Sequence, residues 1–382
     1  MDDTLKNIEL VWVDQPQRLQ QIVEELAEQD ILAVDTESNS LYAYQEQVCL
    51  IQFSTREKDI LIDSLALTDL SPLAAIFESK DILKVFHAAE YDLICLTRDY
   101  GFVFNALFDT MIAARTLGYS QVGLGSLLEQ FFGVQMNKKY QRANWGRRPL
   151  KPEMLAYARQ DSRYLIRLQE HLRKELRALE RWELALEDFE RLPQNIEDTT
   201  QSNGDDFWKL HGARDLSPEN AAILKSLYEF RETIAKLQNR PTFKVISHQA
   251  LIEIARTQPN NWKELVNLPT VSENMAKQYG KGLLNAIQEG HKRPPEFPPH
   301  NDHFQNHVLD RIEELRRWRK LSGERLGVPS DVILPRDVMV RIASSDTVNL
   351  YQLKKQMWDV PYRFSRFGNE IIKTLQQGEP SK

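Results

Sequence analysis

The hydrophobic and polar positions of the first half of the chain alternate between two rhythms. In "RLQQIVEELAEQ" (Arg18–Gln29) apolar residues recur at helical spacing. Three short apolar runs follow in close succession: "ILAVDTE", "VCLIQFST" and "KDILID" (Lys58–Asp63). They read as strands, and their short connections predict antiparallel pairing. "SPLAAIFES" (Ser71–Ser79) predicts a helix with Ser71 as N-cap and proline at its first position. "ILKVFH" (Ile82–His87) predicts another strand, and "AAEYDLICLTRDYG" a helix closed by Gly101. "FNALFDT" begins a further strand-to-helix unit, so residues 1–192 are expected to form an α/β domain with a mixed sheet and flanking helices. From Lys151 to Leu192 the pattern is helical for a long way.

Beyond that point the pattern is all helical and repeats itself. "YEFRETIAKLQNRP" ends at Pro241 and "RRWRKLSGERLGVP" at Pro329, an offset of 88 residues. The same offset carries Phe230-Arg231 onto Trp318-Arg319, Ile254-Ala255 onto Ile342-Ala343, and Tyr279-Gly280 onto Phe367-Gly368. Two related all-α modules are therefore expected at 212–290 and 304–378. A polar, acidic linker (193–211) precedes the first, and a Pro-rich linker (291–303) separates them.

Composition narrows the class. A chain of 382 residues exceeds one ordinary core, and 42% hydrophobic with 27% charged residues describes a soluble globular protein. No apolar run approaches the roughly 18 residues of a membrane span. The start, "MDDTLKNIELVWVD", lacks the basic-then-apolar plan of a signal peptide, so a cytoplasmic location is expected. Cys49 and Cys95 lie in apolar runs and read as buried reduced thiols, not zinc ligands.

The net charge of −6 hides a basic stretch. "NKKYQRANWGRRPLK" (Asn137–Lys151) contains Lys138, Lys139, Arg142, Arg147, Arg148 and Lys151, with no acid. Tyr140 and Trp145 are interleaved with these cations, a mixture suited to a phosphate backbone with bases stacking on aromatics. A merely solvated basic loop is the competing reading.

The chemistry centres on carboxylates. Asp35 and Glu37 end a buried strand, and residues two apart on a strand share a face. Asp92 lies on the helix after strand "LKVFH", near the expected end of the Asp35 strand. Tyr157 and Asp161 are four apart and share a helix face with Met154, Ala158 and Leu165. His87 closes its strand and is a candidate phosphate contact, although a hydrogen-bonded structural histidine is the commoner case. Four acids from three elements need a counter-charge. Arg159 and Arg163 lie two residues either side of Asp161 and turn off its face, and Lys84 is one ammonium against four carboxylates. A hard divalent cation, Mg²⁺ or Mn²⁺, suits all-carboxylate oxygen donors. Four carboxylates can hold two such ions about 3.5–4 Å apart, the arrangement for in-line displacement at phosphorus. The expected reaction is metal-assisted phosphodiester hydrolysis.

"AVDTES", "HAAEYDL" and "YARQDSRYL", in this order, resemble the three exonuclease motifs of the DEDD superfamily, and Tyr157 four before Asp161 resembles its tyrosine subclass. "DTMIAARTLGY" and "NWGRRPL" resemble the ribonuclease D family in particular, and the repeated modules resemble HRDC domains. The resemblance implies a ribonuclease H-like fold followed by two HRDC-like domains. It implies that Asp35, Glu37 and Asp161 hold one metal ion, that Asp35 and Asp92 hold the other, and that Tyr157 orients the attacking water. It implies release of 5′-mononucleotides from the 3′ ends of tRNA precursors and other structured RNAs. Lys138, Lys139, Arg142, Trp145, Arg147, Arg148 and His87 are the expected RNA contacts. Two alternatives stay open: a DNA 3′–5′ exonuclease of the same superfamily, and a non-catalytic RNA-binding protein.

Overall fold

The period-two pattern of strand β2 (Ile31–Ser38) sorts its side chains between two cores in the computed structural model, which describes residues 8–194, 196, 206–299 and 305–377. Leu32 and Val34 enter one core, with Leu19 and Ile22 of α1 (Pro16–Ala27), Phe77 of α2 (Ala74–Glu78) and Leu93 of α3 (Glu90–Tyr100). Ile31 and Ala33 enter the other. There they meet Ala113 of α4 (Thr110–Leu117), Leu127 of α5 (Leu124–Phe132), Leu168 of α7 (Leu165–Ala178) and Ala185 of α8 (Trp182–Arg191).

The sheet has six strands in the order β1-β4-β3-β2-β5-β6. They are β1 (Glu9–Val13), β2, β3 (Val48–Ser54), β4 (Lys58–Ile62), β5 (Leu83–Phe86) and β6 (Leu107–Asp109). β3 and β4 pair antiparallel, as their short connection requires, whereas β1–β4, β2–β5 and β5–β6 are parallel. The sheet is thus mixed, with both faces covered. β1 was not legible in the sequence: only Val11 and Val13 of its five residues are buried, too short an alternation to stand out. One local expectation is corrected. Ser71 does not cap a helix; Ser71–Leu73 form a 3₁₀ turn after Leu70, with no side-chain cap. The helical pattern after Lys151 forms α6 (Pro152–Arg163), α7 and α8, with breaks at Tyr164 and at Glu180, whose φ is +53°.

The helical modules follow the 88-residue register element by element. The first contains α9 (Pro218–Gln238), α10 (Thr242–Val245), α11 (His248–Thr257), α12 (Trp262–Val266) and α13 (Glu273–Lys292). The second contains α14 (Asn306–Leu326), α15 (Ser330–Ile333), α16 (Arg336–Ala343), α17 (Leu350–Gln356) and α18 (Pro361–Gln377), each starting 88 residues after its counterpart. Parts of both expected linkers (195, 197–205 and 300–303), and residues 304 and 378 at the bounds of the expected second module, lie outside the described residues.

The chain groups into two compact units. Residues up to Glu37, Val48–Thr199 and those from Asp302 onward form one; Ser38–Gln47 and Thr200–Asn301 form the other. In the first unit a buried ionic seam joins the second module to the α/β region. Arg363 is fully buried and donates to Glu187 at 2.9 Å and Asp188 at 2.7 Å, both on α8. Arg191 donates to Asp359 at 2.9 Å. In the second unit, Tyr44 of the β2–β3 connection packs against the first module's core, and its N–H donates to Asn239 Oδ1 at 3.2 Å. Cys49 and Cys95 are buried and form no disulfide. Among the described residues, no helix is long and apolar enough to cross a membrane.

Candidate active site

The site lies where β2 and β5, parallel neighbours, run out of sheet. Ligands of α/β sheets gather at such carboxyl ends. On β2, Asp35 and Glu37 follow Ala33 at two-residue steps and therefore project to its side of the sheet. Thr36 projects to the other side, and its hydroxyl donates to Asp92 Oδ1 on α3. Asp92 is itself placed by Asp109 at the end of β6. Asp109 accepts from Ala89 N–H at 2.7 Å and Ala88 N–H at 3.2 Å, holding the turn in which Ala88 has φ +60°. Asp109 also caps α4 through Met111 N–H at 2.7 Å and Ile112 N–H at 3.1 Å.

From the other direction, α6 packs on β3 and β4 and brings Asp161 to the pair on β2. One carboxylate oxygen from each of Asp35, Glu37 and Asp161 lies within 4.8 Å of the others. Asp92 is close enough that its charge acts on both Asp35 and Glu37. Sequence reasoning missed Gln52 in this group. It is fully buried on β3, and with its amide nitrogen turned to the available acceptors it donates to Asp35 Oδ2 at 2.8 Å and to the Ala158 carbonyl at 3.2 Å. A lone glutamine within the buried run "VCLIQFS" was the signal.

The electrostatics are those of like charges crowded together without a neutralising partner among the described residues. Burial first, then the charges of Asp92, Asp161 and Glu37, raise the Asp35 carboxyl well above the carboxylate range. Glu37 is raised likewise, by burial and then by Asp161 and Asp92. Burial pushes both Asp92 and Asp161 up to about 7, against hydrogen bonds from Thr36 and Tyr157 respectively. The nearby cations are committed elsewhere. Arg159 and Arg163 both pair with Asp59. Lys84 is buried and donates to the Ser79 carbonyl. All-oxygen, anionic donors at this spacing fit a hard divalent ion. Zinc-type nitrogen and sulfur ligands are absent from the group.

Tyr157 is half-buried and donates its hydroxyl hydrogen bond to Asp161. Burial, followed by the charges of Asp161, Glu37 and Asp35, raises its pKa. The phenol therefore keeps its proton at neutral pH and is a hydrogen-bond donor to Asp161. Tyr140 and Trp145 wall it in, with ring centroids 6.2 Å and 6.0 Å away.

The basic segment therefore does lie beside the active-site helix, but its residues divide. Lys138, Lys139, Arg142 and Arg147 are exposed. Trp145 is only 1% exposed and packs among Cys49, Leu50 and Met154, so its ring is a wall of the site and not a platform for bases. Arg148 is consumed as well: it donates to both Asp63 oxygens at 2.6 Å and to the Cys49 carbonyl at 2.7 Å. Tertiary packing thus gives internal partners to two of the expected RNA contacts, burying Trp145 and leaving Arg148 partly exposed. His87 Nδ1 lies 2.9 Å from Thr110 Oγ1, and burial lowers its pKa, which matches a structural histidine better than a phosphate contact.

Comparison with known proteins bears on this geometry. A 3′–5′ exonuclease family model matches residues 10–177, and an HRDC-domain model matches residues 220–287, inside the first module. Ribonuclease D of Jannaschia sp. is 30% identical over 361 residues, which cover 91% of this chain and 91% of that protein. The exosome complex exonuclease RRP6 of Saccharomyces cerevisiae is 32% identical over 294 residues, 73% of this chain. The match spans only 40% of that protein's length, and that to Protein RRP6-like 3 of Arabidopsis thaliana spans 36%. Among solved structures, Escherichia coli RNase D, an exoribonuclease involved in structured RNA processing, matches with a TM-score of 0.73. That alignment, at 24% identity, covers 97% of this chain and 99% of the other and attests the shared fold. The catalytic core of RRP6 from Trypanosoma brucei gives 0.64 at 28% identity, covering 75% and 80%.

Proposed function

The chain belongs to the ribonuclease D family, and from that premise we propose that it trims RNA from the 3′ end by metal-assisted phosphodiester hydrolysis, releasing 5′-mononucleotides. The observation that carries the reading is the half-buried cluster of Asp35, Glu37 and Asp161, with Asp92 buried beside it and, among the described residues, no arginine or lysine committed to it. Asp35, Glu37 and Asp161 would hold one Mg²⁺ or Mn²⁺, and Asp92 with Asp35 a second. Such ions would lower the pKa of a water and offset charge on the transferring phosphoryl group and leaving 3′-oxygen.

The chain's own residues do the rest. Tyr157, protonated and tethered to Asp161, orients the attacking water. Trp145 and Tyr140 fix the Tyr157 ring and exclude bulk solvent from one side of it. Gln52 and Thr36 hold Asp35 and Asp92 in fixed rotamers, so the acids do not collapse away from one another. Lys138, Lys139, Arg142 and Arg147, exposed beside this wall, suit the phosphates of a single strand that reaches the site. The HRDC-like modules would add contacts to the body of a structured RNA such as a tRNA precursor.

The deciding experiment compares 3′ trimming of RNA and DNA strands of matched sequence, with and without Mg²⁺. RNA hydrolysis dependent on Mg²⁺ is expected. Preferential DNA cleavage would move the protein to a DNA exonuclease, and binding without cleavage of either strand would make it a non-catalytic RNA-binding protein.

A further inference from the structure

α6 carries both the acid that joins the site and two arginines that would spoil it. Asp161 sits between Arg159 and Arg163 in the sequence, and two helical residues differ by about 200° in direction. Which way the helix is rotated therefore decides whether the cluster on β2 meets a carboxylate or a guanidinium. Packing of apolar side chains alone constrains that rotation weakly here. The buried residues of α6 are Met154, Ala158 and Ser162, and two of these are small.

Polar bonds to the sheet supply the missing constraint, and they converge on one carboxylate. Asp59, on β4, is 1% exposed. Its Oδ2 accepts from Arg159 Nε at 2.9 Å and lies 2.7 Å from an Arg159 terminal nitrogen as an ion pair. Its Oδ1 accepts from Arg163 at 3.2 Å and from Ser54 Oγ at 2.7 Å. Ser54 has spent its one hydrogen on Asp59, so it accepts from Ser162 Oγ at 2.8 Å, which ties the residue after Asp161 to β3. Arg163 is fixed further by the carbonyls of Thr55 and Arg56, both at 2.9 Å, and Arg159 by that of Ile8 at 3.1 Å. The two arginine side chains are 16% and 12% exposed. One side of α6, formed by Ala158, Arg159, Ser162 and Arg163, is thereby fastened to β3 and β4. The side left over presents Tyr157 and Asp161.

We propose that Asp59 is a positioning residue of the active site: by gathering Arg159 and Arg163 against the sheet it sets the rotation of α6, delivers Asp161 to Asp35 and Glu37, and keeps both guanidinium groups out of the metal-binding cluster. A stabilising role alone accounts for the network poorly, because a buried ion pair gains little over apolar side chains of the same shape. Its distinctive effect is on direction, since it ties charged groups to one side of a helix whose other side must stay free of positive charge. The proposal rests on the metal-dependent reading of the cluster.

The test is direct titration with Mn²⁺, without substrate, of the full chain, with circular dichroism confirming that each variant is folded. Asp59→Asn should weaken Mn²⁺ binding about 10–100-fold, the range found when an outer partner of a metal site is removed. It should also lower kcat more than it changes KM for a short RNA. The triple variant Asp59→Leu/Arg159→Leu/Arg163→Leu removes the freed guanidiniums together with their anchor and should recover most of the Mn²⁺ affinity. Folded Asp59→Asn with wild-type affinity overturns the proposal, as does a triple variant no better than the single one. Should Asp59→Asn not fold, Ser54→Ala, which spares both ion pairs, should still weaken Mn²⁺ binding about threefold, on the order of one neutral hydrogen bond. Unchanged affinity there also overturns it. Wild-type protein that binds no Mn²⁺ would instead overturn the functional reading on which the proposal stands.

Discussion

α6 has carboxylates on both sides, and the two sides are treated in opposite ways. Toward β4, one buried acid, Asp59, receives two arginines and a serine hydroxyl. Toward the end of β2, three acids within 4.8 Å, with Asp92 nearby, receive neutral donors from Gln52, Thr36 and Tyr157. A fully paired carboxylate has no charge left over for an outside cation. A group of carboxylates held in place but not neutralised has kept its affinity for an outside cation. The difference teaches that function here is marked less by the presence of buried acids than by what the fold declines to put beside them.

The strongest way to break this contrast is to remove one acid from the unneutralised group. Asp35→Asn or Asp161→Asn should lose more hydrolysis than the roughly 10–100-fold that an outer partner of a metal site costs. The same change relieves like-charge repulsion, so the Tm without metal should be unchanged or higher. Initial rates on a short RNA and thermal melts in EDTA give both readings, and a variant with wild-type rate would dissolve the distinction between the two sides.

Tyr157→Phe comes next. A positioned donor or acceptor at the reacting water contributes about 100-fold or more, so kcat should fall by that order while Mn²⁺ affinity holds. Loss of Mn²⁺ binding in calorimetry would make the hydroxyl a ligand and not an orienting donor.

The third prediction uses pH. Asp92 and Asp161 are pushed up to about 7, and Asp35 and Glu37 are also raised, so between the ordinary carboxylate range and about 7 the folded protein holds more protons than the unfolded chain. Stability of the metal-free protein therefore falls as pH rises through that window. Saturating Mn²⁺ replaces the protons, so the rise in Tm on adding Mn²⁺ should grow from about pH 5 to about pH 8. A metal-induced shift independent of pH would show that the cluster is not the binding site.

The smallest effect belongs to the exposed cations outside the wall. Replacing Lys138 and Lys139 with glutamine should weaken binding of single-stranded RNA whatever its sequence. It should also flatten log K against log salt by about 0.7 for each phosphate no longer neutralised. Replacing Arg148 should instead reduce stability, because its partners Asp63 and the Cys49 carbonyl are internal. Equal salt slopes in wild type and both variants would remove the lysines from the RNA path.

Much of this was settled by the order of residues. Strand alternation put Asp35 and Glu37 on one face, four-residue spacing put Tyr157 over Asp161, and two-residue spacing turned Arg159 and Arg163 away. The 88-residue offset placed the start of every helix of the second module. These are local periodicities, fixed by backbone geometry before any long-range contact forms. Only the tertiary structure decided where the displaced groups went. It sent both arginines to Asp59, packed Trp145 against Tyr157, paired Arg148 with Asp63, and recruited Gln52, Thr36 and Asp109 to hold the acids. Each of those outcomes joins residues far apart in the chain, such as Asp59 with Arg159 or Thr36 with Asp92. Which partner a buried polar group finds depends on strand order and helix packing, and periodicity within a segment carries no record of either.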